Sequence, residues 1–228
     1  MGQSKIKTYL DCVSPYSWFA LVYLRENRSA LKAHGVDVEF VPVFLGGINV
    51  GSGNKPPWTL PAKKNYGPYD SDRAQKYFGV KLITPEFFPI LSLLPQRCMV
   101  YVKDKYSQDK FEDAFNELWV SMWQQSKDLS KPDVMAESLS RHFSEEDVRK
   151  IMAAANTPEY KQKLNDNTKE ALDCGAFGCP WSMVTNDKGV TEPFFGSDRF
   201  HFMWEYLGIP HQNVRIEERG NGQEKTKL

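Results

Sequence analysis

The dipeptide Ser14-Pro15 constrains this chain more than any other two residues. Serine is a favoured helix cap and proline a favoured first helical residue, so a helix is predicted to start at Pro15. Before it, Ile6 to Val13 mixes apolar and polar residues and reads as a short strand. Within the helix, Trp18, Leu21, Leu24 and Leu31 share one apolar face, and His34-Gly35 closes it. Val36 to Phe44, rich in valine and phenylalanine, reads as a second strand. Strand, helix, strand is the opening of an α/β fold with a parallel pair.

Downstream the pattern changes twice. Gly46 to Pro68 carries Gly46-Gly47, Gly51-Ser52-Gly53-Asn54 and Pro56-Pro57, and is predicted as a long loop. From about Ser71 to Cys174 the periodicity is helical. Phe111, Phe115, Leu118 and Met122 recur at helical spacing with Trp119 and Trp123 beside them, a helical core. Ser144 with Asp147 resembles a capping box, Thr157-Pro158 starts another helix, and Gly175 stops it. Trp181 to Thr185 and Thr191 to Phe195, joined by Asn186-Asp187-Lys188-Gly189, read as a hairpin. Ser197 to Leu207 is predicted as a closing helix capped by Ser197 or Asp198. The chain beyond about Gln212 is polar, charged and free of aromatics, a solvated tail.

The chain has 29 basic and 29 acidic residues, so its formal net charge is zero. Nucleic-acid binders usually carry a basic excess, and that class is set aside. No apolar run approaches the roughly 20 residues of a membrane span. Met1-Gly2-Gln3-Ser4-Lys5-Ile6 offers neither a hydrophobic signal nor an Arg-rich presequence, so secretion is not expected. Cys12, Cys98, Cys174 and Cys179 form no Cys-x-x-Cys pair, and the four histidines show no zinc-ligand spacing. Neither a disulfide framework nor a metal is expected.

Three segments resemble the kappa-class glutathione transferases: Asp11-Cys12-Val13-Ser14-Pro15-Tyr16-Ser17-Trp18, Ser52-Gly53-Asn54-Lys55-Pro56-Pro57, and Gly175-Ala176-Phe177-Gly178-Cys179-Pro180 with Phe195-Gly196-Ser197-Asp198-Arg199. The resemblance runs from about Lys5 to Leu207. That family is related to the disulfide oxidoreductase DsbA and to the 2-hydroxychromene-2-carboxylate isomerases. The implied fold is an α/β, thioredoxin-like domain with a long all-helical insertion, DsbA-like in plan. Residues 1–70 and 175–211 would form the glutathione-binding domain, 71–174 the helical insertion and 212–228 the tail. The Cys-x-x-Cys turn of the oxidoreductases corresponds here to Ser14-Pro15-Tyr16-Ser17. Disulfide exchange needs two sulfurs, so this turn cannot run that cycle.

The resemblance implies a glutathione transferase that conjugates small hydrophobic electrophiles, with peroxide reduction as a further activity. Glutathione is the co-substrate. Ser14, at a helix N-terminus that favours anions, is assigned as donor to the glutathione thiolate. Cys179-Pro180 is expected as a cis peptide whose backbone pairs with the cysteinyl part of glutathione. Ser197 and Asp198 would bind the γ-glutamyl end, and Asn54 and Lys63 (or the adjacent Lys64) the rest of the peptide. Cys179 replaces the aliphatic residue usual in the family, and a mixed disulfide with glutathione is one reading of it; a small apolar filler is the other. Tyr16, Trp58 and Trp181 are placed in the electrophile cleft from their sequence neighbours. Two alternatives stay open: a glutathione-dependent isomerase of the hydroxychromene carboxylate type, and a non-catalytic glutathione-binding module. Relatives in this class form homodimers. Cytoplasm, mitochondrion and peroxisome are all open as locations, the last because Thr226-Lys227-Leu228 partly matches a Ser-Lys-Leu signal.

Overall fold

The computed structural model describes residues 4–212. The Thr226-Lys227-Leu228 signal and nearly all of the expected tail lie outside the described residues.

Strand β1 (Ser4–Leu10) leads into helix α1 (Pro15–Glu26), which starts where the Ser14-Pro15 pair predicts. The single helix expected up to His34 is two. At Asn27 the chain leaves helical geometry and the Asn27 side-chain amide donates to the Tyr23 carbonyl, after which α2 (Arg28–Ala33) begins. Strand β2 (Val36–Pro42) then pairs with β1 in parallel.

The expected loop from Gly46 to Pro68 is mostly helix. It contains α3 (Leu45–Ser52), a 3₁₀ turn (Pro57–Thr59) and the first half of α4 (Pro61–Phe78). The glycines that suggested a loop serve close packing instead. A Cβ on Gly46 would stand 2.5 Å from the Phe44 ring, and one on Gly51 2.5 Å from a Leu172 methyl. Pro68 sits inside α4, where it cannot donate to the carbonyl one turn earlier. That helix buries no side chain, so water can reach the freed carbonyl.

Helices α5 (Leu93–Lys105), α6 (Gln108–Trp119), α7 (Pro132–Leu139), α8 (Glu145–Ala154) and α9 (Pro158–Asp173) follow, with a π turn over Val120–Gln124. Strands β3 (Trp181–Thr185) and β4 (Thr191–Phe195) form the predicted hairpin. Helix α10 spans Phe200–Tyr206, shorter than the expected Ser197 to Leu207. The sheet order is β2-β1-β3-β4, with β1 antiparallel to β3.

Alternation along β1 sets the two layers. Ile6 and Leu10 face a large core with Phe19, Leu24, Phe115 and Trp119, all at most 1% exposed. Tyr9 faces a smaller cluster on the other side with Val41, Ile48, Ala171, Cys179 and Trp181. Phe111, Phe115, Trp119, Met122 and Trp123 are buried, as their helical spacing predicts.

Candidate active site

The turn between β1 and α1 is held from every side. Val13 N–H donates to the Asp11 carboxylate at 3.0 Å, and Ser14 N–H to the Asp11 carbonyl at 3.0 Å. The insertion supplies further donors and acceptors. Trp119 Nε1 donates to the Ser14 carbonyl and Trp123 Nε1 to the Cys12 carbonyl, both at 2.9 Å. Gln96 accepts from Cys12 N–H at 3.4 Å and donates to the Leu10 and Val43 carbonyls at 2.8 and 2.7 Å. Buried backbone groups are costly unless paired, so this pairing fixes the turn.

Asp11 is fully buried and anchors a second junction. Its Oδ2 accepts from Leu45 N–H at the start of α3 and from the Ser92 hydroxyl, both at 2.7 Å. Burial raises its pKa to about 6, against the lowering effect of those hydrogen bonds. Sequence reasoning missed Asp11, Gln96, Trp119 and Trp123 as parts of the site. Only Asp11 lies within the motif; the others reach it across 84 or more residues.

Ser14 is 6% exposed and is the true cap of α1. Its Oγ accepts from Ser17 N–H at 3.2 Å and donates to the Cys179 carbonyl at 3.1 Å. The Cys179–Pro180 peptide is cis, as expected. The Pro180 carbonyl accepts from Gly196 N–H at 3.0 Å, which carries the chain to Ser197 and Asp198. Ser197 is buried and Asp198 exposed. Neither caps α10. That helix begins after Arg199 with no side-chain cap, and Asp198 is ion-paired with Arg199.

A cleft of about 900 Å³ opens beside these residues, and Ser14 itself is not among those that line it. Tyr16, Cys179, Pro180, Ser197 and Asp198 line one part of it, while Tyr23, Phe78, Phe200 and Trp204 form an aromatic wall. Tyr23 stacks on Phe200 with ring centres 4.3 Å apart. The Tyr16 hydroxyl donates to Asp70 at 2.6 Å; burial, then the Asp70 carboxylate, raises its pKa.

The other predicted residues separate. Asn54 is exposed and donates through Nδ2 to the Phe177 carbonyl at 2.5 Å, which ties it to the cis-proline segment outside the cleft. Lys63 and Lys64 stand exposed on the first turn of α4 rather than in a loop. Trp58 is 40% exposed, edge-on to Phe88, and does not line the cleft. Trp181, also expected in the cleft, is instead part of the small core, because β3 alternation turns it to the Tyr9 side of the sheet. The Cys179 thiol belongs to the same cluster. Burial, and then the negative charge of Asp11, pushes its pKa well above the ordinary thiol value. A buried thiol with a raised pKa is a slow partner for disulfide exchange. Among the described residues no cluster of three His, Cys, Asp or Glu side chains could hold a metal.

Comparison with known proteins places this fold. A family model described as a DSBA-like thioredoxin domain matches residues 5–208. Glutathione S-transferase kappa 1 of Caenorhabditis elegans is 31% identical over 98% of this chain and 98% of its own length. Human glutathione S-transferase kappa 1 is 28% identical over 89% of this chain and 90% of its own. Among solved structures, a 2-hydroxychromene-2-carboxylate isomerase superposes with a TM-score of 0.72 at 16% identity, covering 90% of this chain and 94% of that one. A probable DsbA oxidoreductase from Streptomyces coelicolor gives 0.70 at 13% identity, with 96% of each chain covered. These two likenesses show the fold.

Proposed function

Because this chain belongs to the DsbA-like thioredoxin family and, within it, to the kappa-class glutathione transferases, we propose that it uses Ser14 to activate glutathione for attack on small apolar electrophiles. One observation carries the reading: a nearly buried hydroxyl caps α1 directly beside the cis Cys179–Pro180 peptide. A serine there can steady a sulfur anion but cannot form a disulfide.

The energetics are adequate. A free thiol titrates near 8.5, so lowering it by about two units requires about 2.7 kcal/mol. A charge-assisted hydrogen bond contributes about 1.5–3 kcal/mol, and a helix N-terminus adds about 0.3–1 kcal/mol. In the conjugation step the glutathione sulfur forms a bond to carbon, the leaving group departs with its electron pair, and the thiol proton passes to solvent. The aromatic wall excludes water from the electrophile and orients it. With a hydroperoxide, the thiolate would attack oxygen and release an alcohol. A second glutathione would then convert the sulfenic acid to glutathione disulfide and water.

In this reading the Cys179 backbone pairs with the cysteinyl residue of glutathione. Ser197 takes the γ-glutamyl carboxylate, and Asp198 the ammonium, in competition with Arg199. Lys63 is the cation for the glycyl carboxylate, and Asn54 steadies the Phe177 segment. The test is titration of the bound thiol by thiolate absorbance, in the natural protein and in Ser14→Ala. A midpoint lowered by about two units in the first and restored in the second supports the assignment. Equal midpoints remove Ser14 from its role.

A further inference from the structure

The Ser14 hydroxyl is already in use. Its oxygen accepts from Ser17 N–H, and its single proton goes to the Cys179 carbonyl at 3.1 Å. Among the described residues no other donor reaches that carbonyl. Cys179 is 7% exposed and Ser14 6%, so both partners are largely shielded, with Cys179 meeting solvent only where it lines the cleft. To donate to sulfur, the hydroxyl must leave the carbonyl. A buried carbonyl left without a donor costs about as much as the new bond to sulfur would gain.

We propose that thiol activation here is a hydrogen-bond exchange: the ligand's own amide N–H takes over the Cys179 carbonyl and thereby frees the Ser14 hydroxyl for the thiolate. The inference rests on the glutathione reading and adds a selectivity rule to it. The site activates thiols that carry a peptide N–H beside the sulfur-bearing carbon. A thiol without that donor can enter the cleft, but it leaves the hydroxyl on the carbonyl and keeps its ordinary pKa. Recognition of the peptide backbone and ionisation of the sulfur become one event. The neighbouring geometry suits such an exchange. Ser14 and Cys179 lie on two segments fixed independently, one by Trp119 and the other by the Pro180 to Gly196 bond. The hydroxyl can turn without either segment moving.

The experiment compares glutathione with an analogue methylated on the cysteinyl amide nitrogen, each titrated while bound to the natural protein. The midpoint for glutathione should fall by about two units and that for the methylated analogue by less than about half as much. An equal fall for both overturns the exchange while leaving Ser14 as activator. No fall for glutathione itself sinks the underlying reading instead. Should the methylated analogue fail to bind, S-methylglutathione decides between the two, since its thioether is a weak acceptor for the hydroxyl. Ser14→Ala leaves the Cys179 carbonyl bare in the free protein. S-methylglutathione should therefore bind the variant about fivefold more tightly than it binds the natural protein. Unchanged or weaker binding overturns the exchange.

Discussion

Ser14 and Ser197 stand at the two sides of the cis-proline segment, and the sequence suggests the same job for both: cap a helix and touch the peptide. Only Ser14 caps. It is followed by a proline at the first position of a 12-residue helix, and its hydroxyl receives Ser17 N–H. Ser197 follows Gly196, which has φ of +90°, and three residues separate that glycine from α10. The helix there has seven residues and no side-chain cap. A cap is a geometric relation to the N–H groups that follow, and proline enforces that relation where Asp198-Arg199 does not. The difference also divides labour. Ser14 sits in a turn bound by Asp11, Gln96, Trp119 and Trp123, which suits a group that must meet a reacting atom. Among the described residues no side chain braces the Ser197 turn in that way, which suits binding.

The most severe challenge to this contrast is Asp11→Asn, since Asp11 underpins Ser14 and, among the described residues, nothing comparable underpins Ser197. Its folded pKa of about 6 lies above the unfolded value of about 3.9. A raised carboxyl pKa favours folding below about pH 3.9, and that contribution is lost as pH rises through about 6. The stability of the natural protein relative to Asp11→Asn should thus fall by about 2 kcal/mol between about pH 4 and 7. Glu39 and Asp104, both lowered to about 2, titrate in the opposite sense but equally in the two proteins. Urea midpoints across that range measure the difference, and a flat difference would deny Asp11 its buried charge.

Ser14→Ala comes next. It should lower kcat/KM for an activated aryl halide about a hundredfold, the loss of about 2.7 kcal/mol of thiolate stabilisation. Loss of the cap and of the donor to the Cys179 carbonyl together should lower Tm by about 4–10 °C. Trp119→Phe, which removes the donor to the Ser14 carbonyl, should reduce kcat about tenfold at nearly constant KM, since about 1–2 kcal/mol of positioning is lost. Ser197→Ala should do the reverse on a smaller scale, raising KM for glutathione about fivefold with kcat unchanged. Steady-state kinetics with glutathione varied separate the two patterns. If Ser197→Ala lowers kcat as Ser14→Ala does, the division of labour fails.

The sequence exposes what is local. The β3–β4 hairpin is predicted with its observed residues because alternation and an Asn-Asp-Lys-Gly turn are both present within it. The start of α1 is equally plain. Helices α3 and α4 are hidden because glycine and proline signal loops, while here glycine permits contact with Phe44 and Leu172. Ser14, Cys179-Pro180 and Ser197 are recognisable together only through a family resemblance, since the elements that join them are strands far apart in the chain. Trp119 and Trp123 read as core and are core; their indole N–H groups acquire a second role only once the fold sets them over the turn. Trp181 shows the opposite case, because adjacency to Pro180 says nothing about which face of β3 it occupies.

The placement of β1 in the sheet has a consequence for biogenesis. It lies between β2, its neighbour in the chain, and β3, which begins at residue 181. During translation β1 and β2 can pair early, but the other edge of β1 stays open until more than three quarters of the polypeptide has left the ribosome. An open hydrogen-bonding edge invites pairing with other chains. Nascent chains stalled before Trp181 should therefore be the ones that depend on chaperones, and synthesis of the hairpin both seals that edge and brings Cys179 to Ser14.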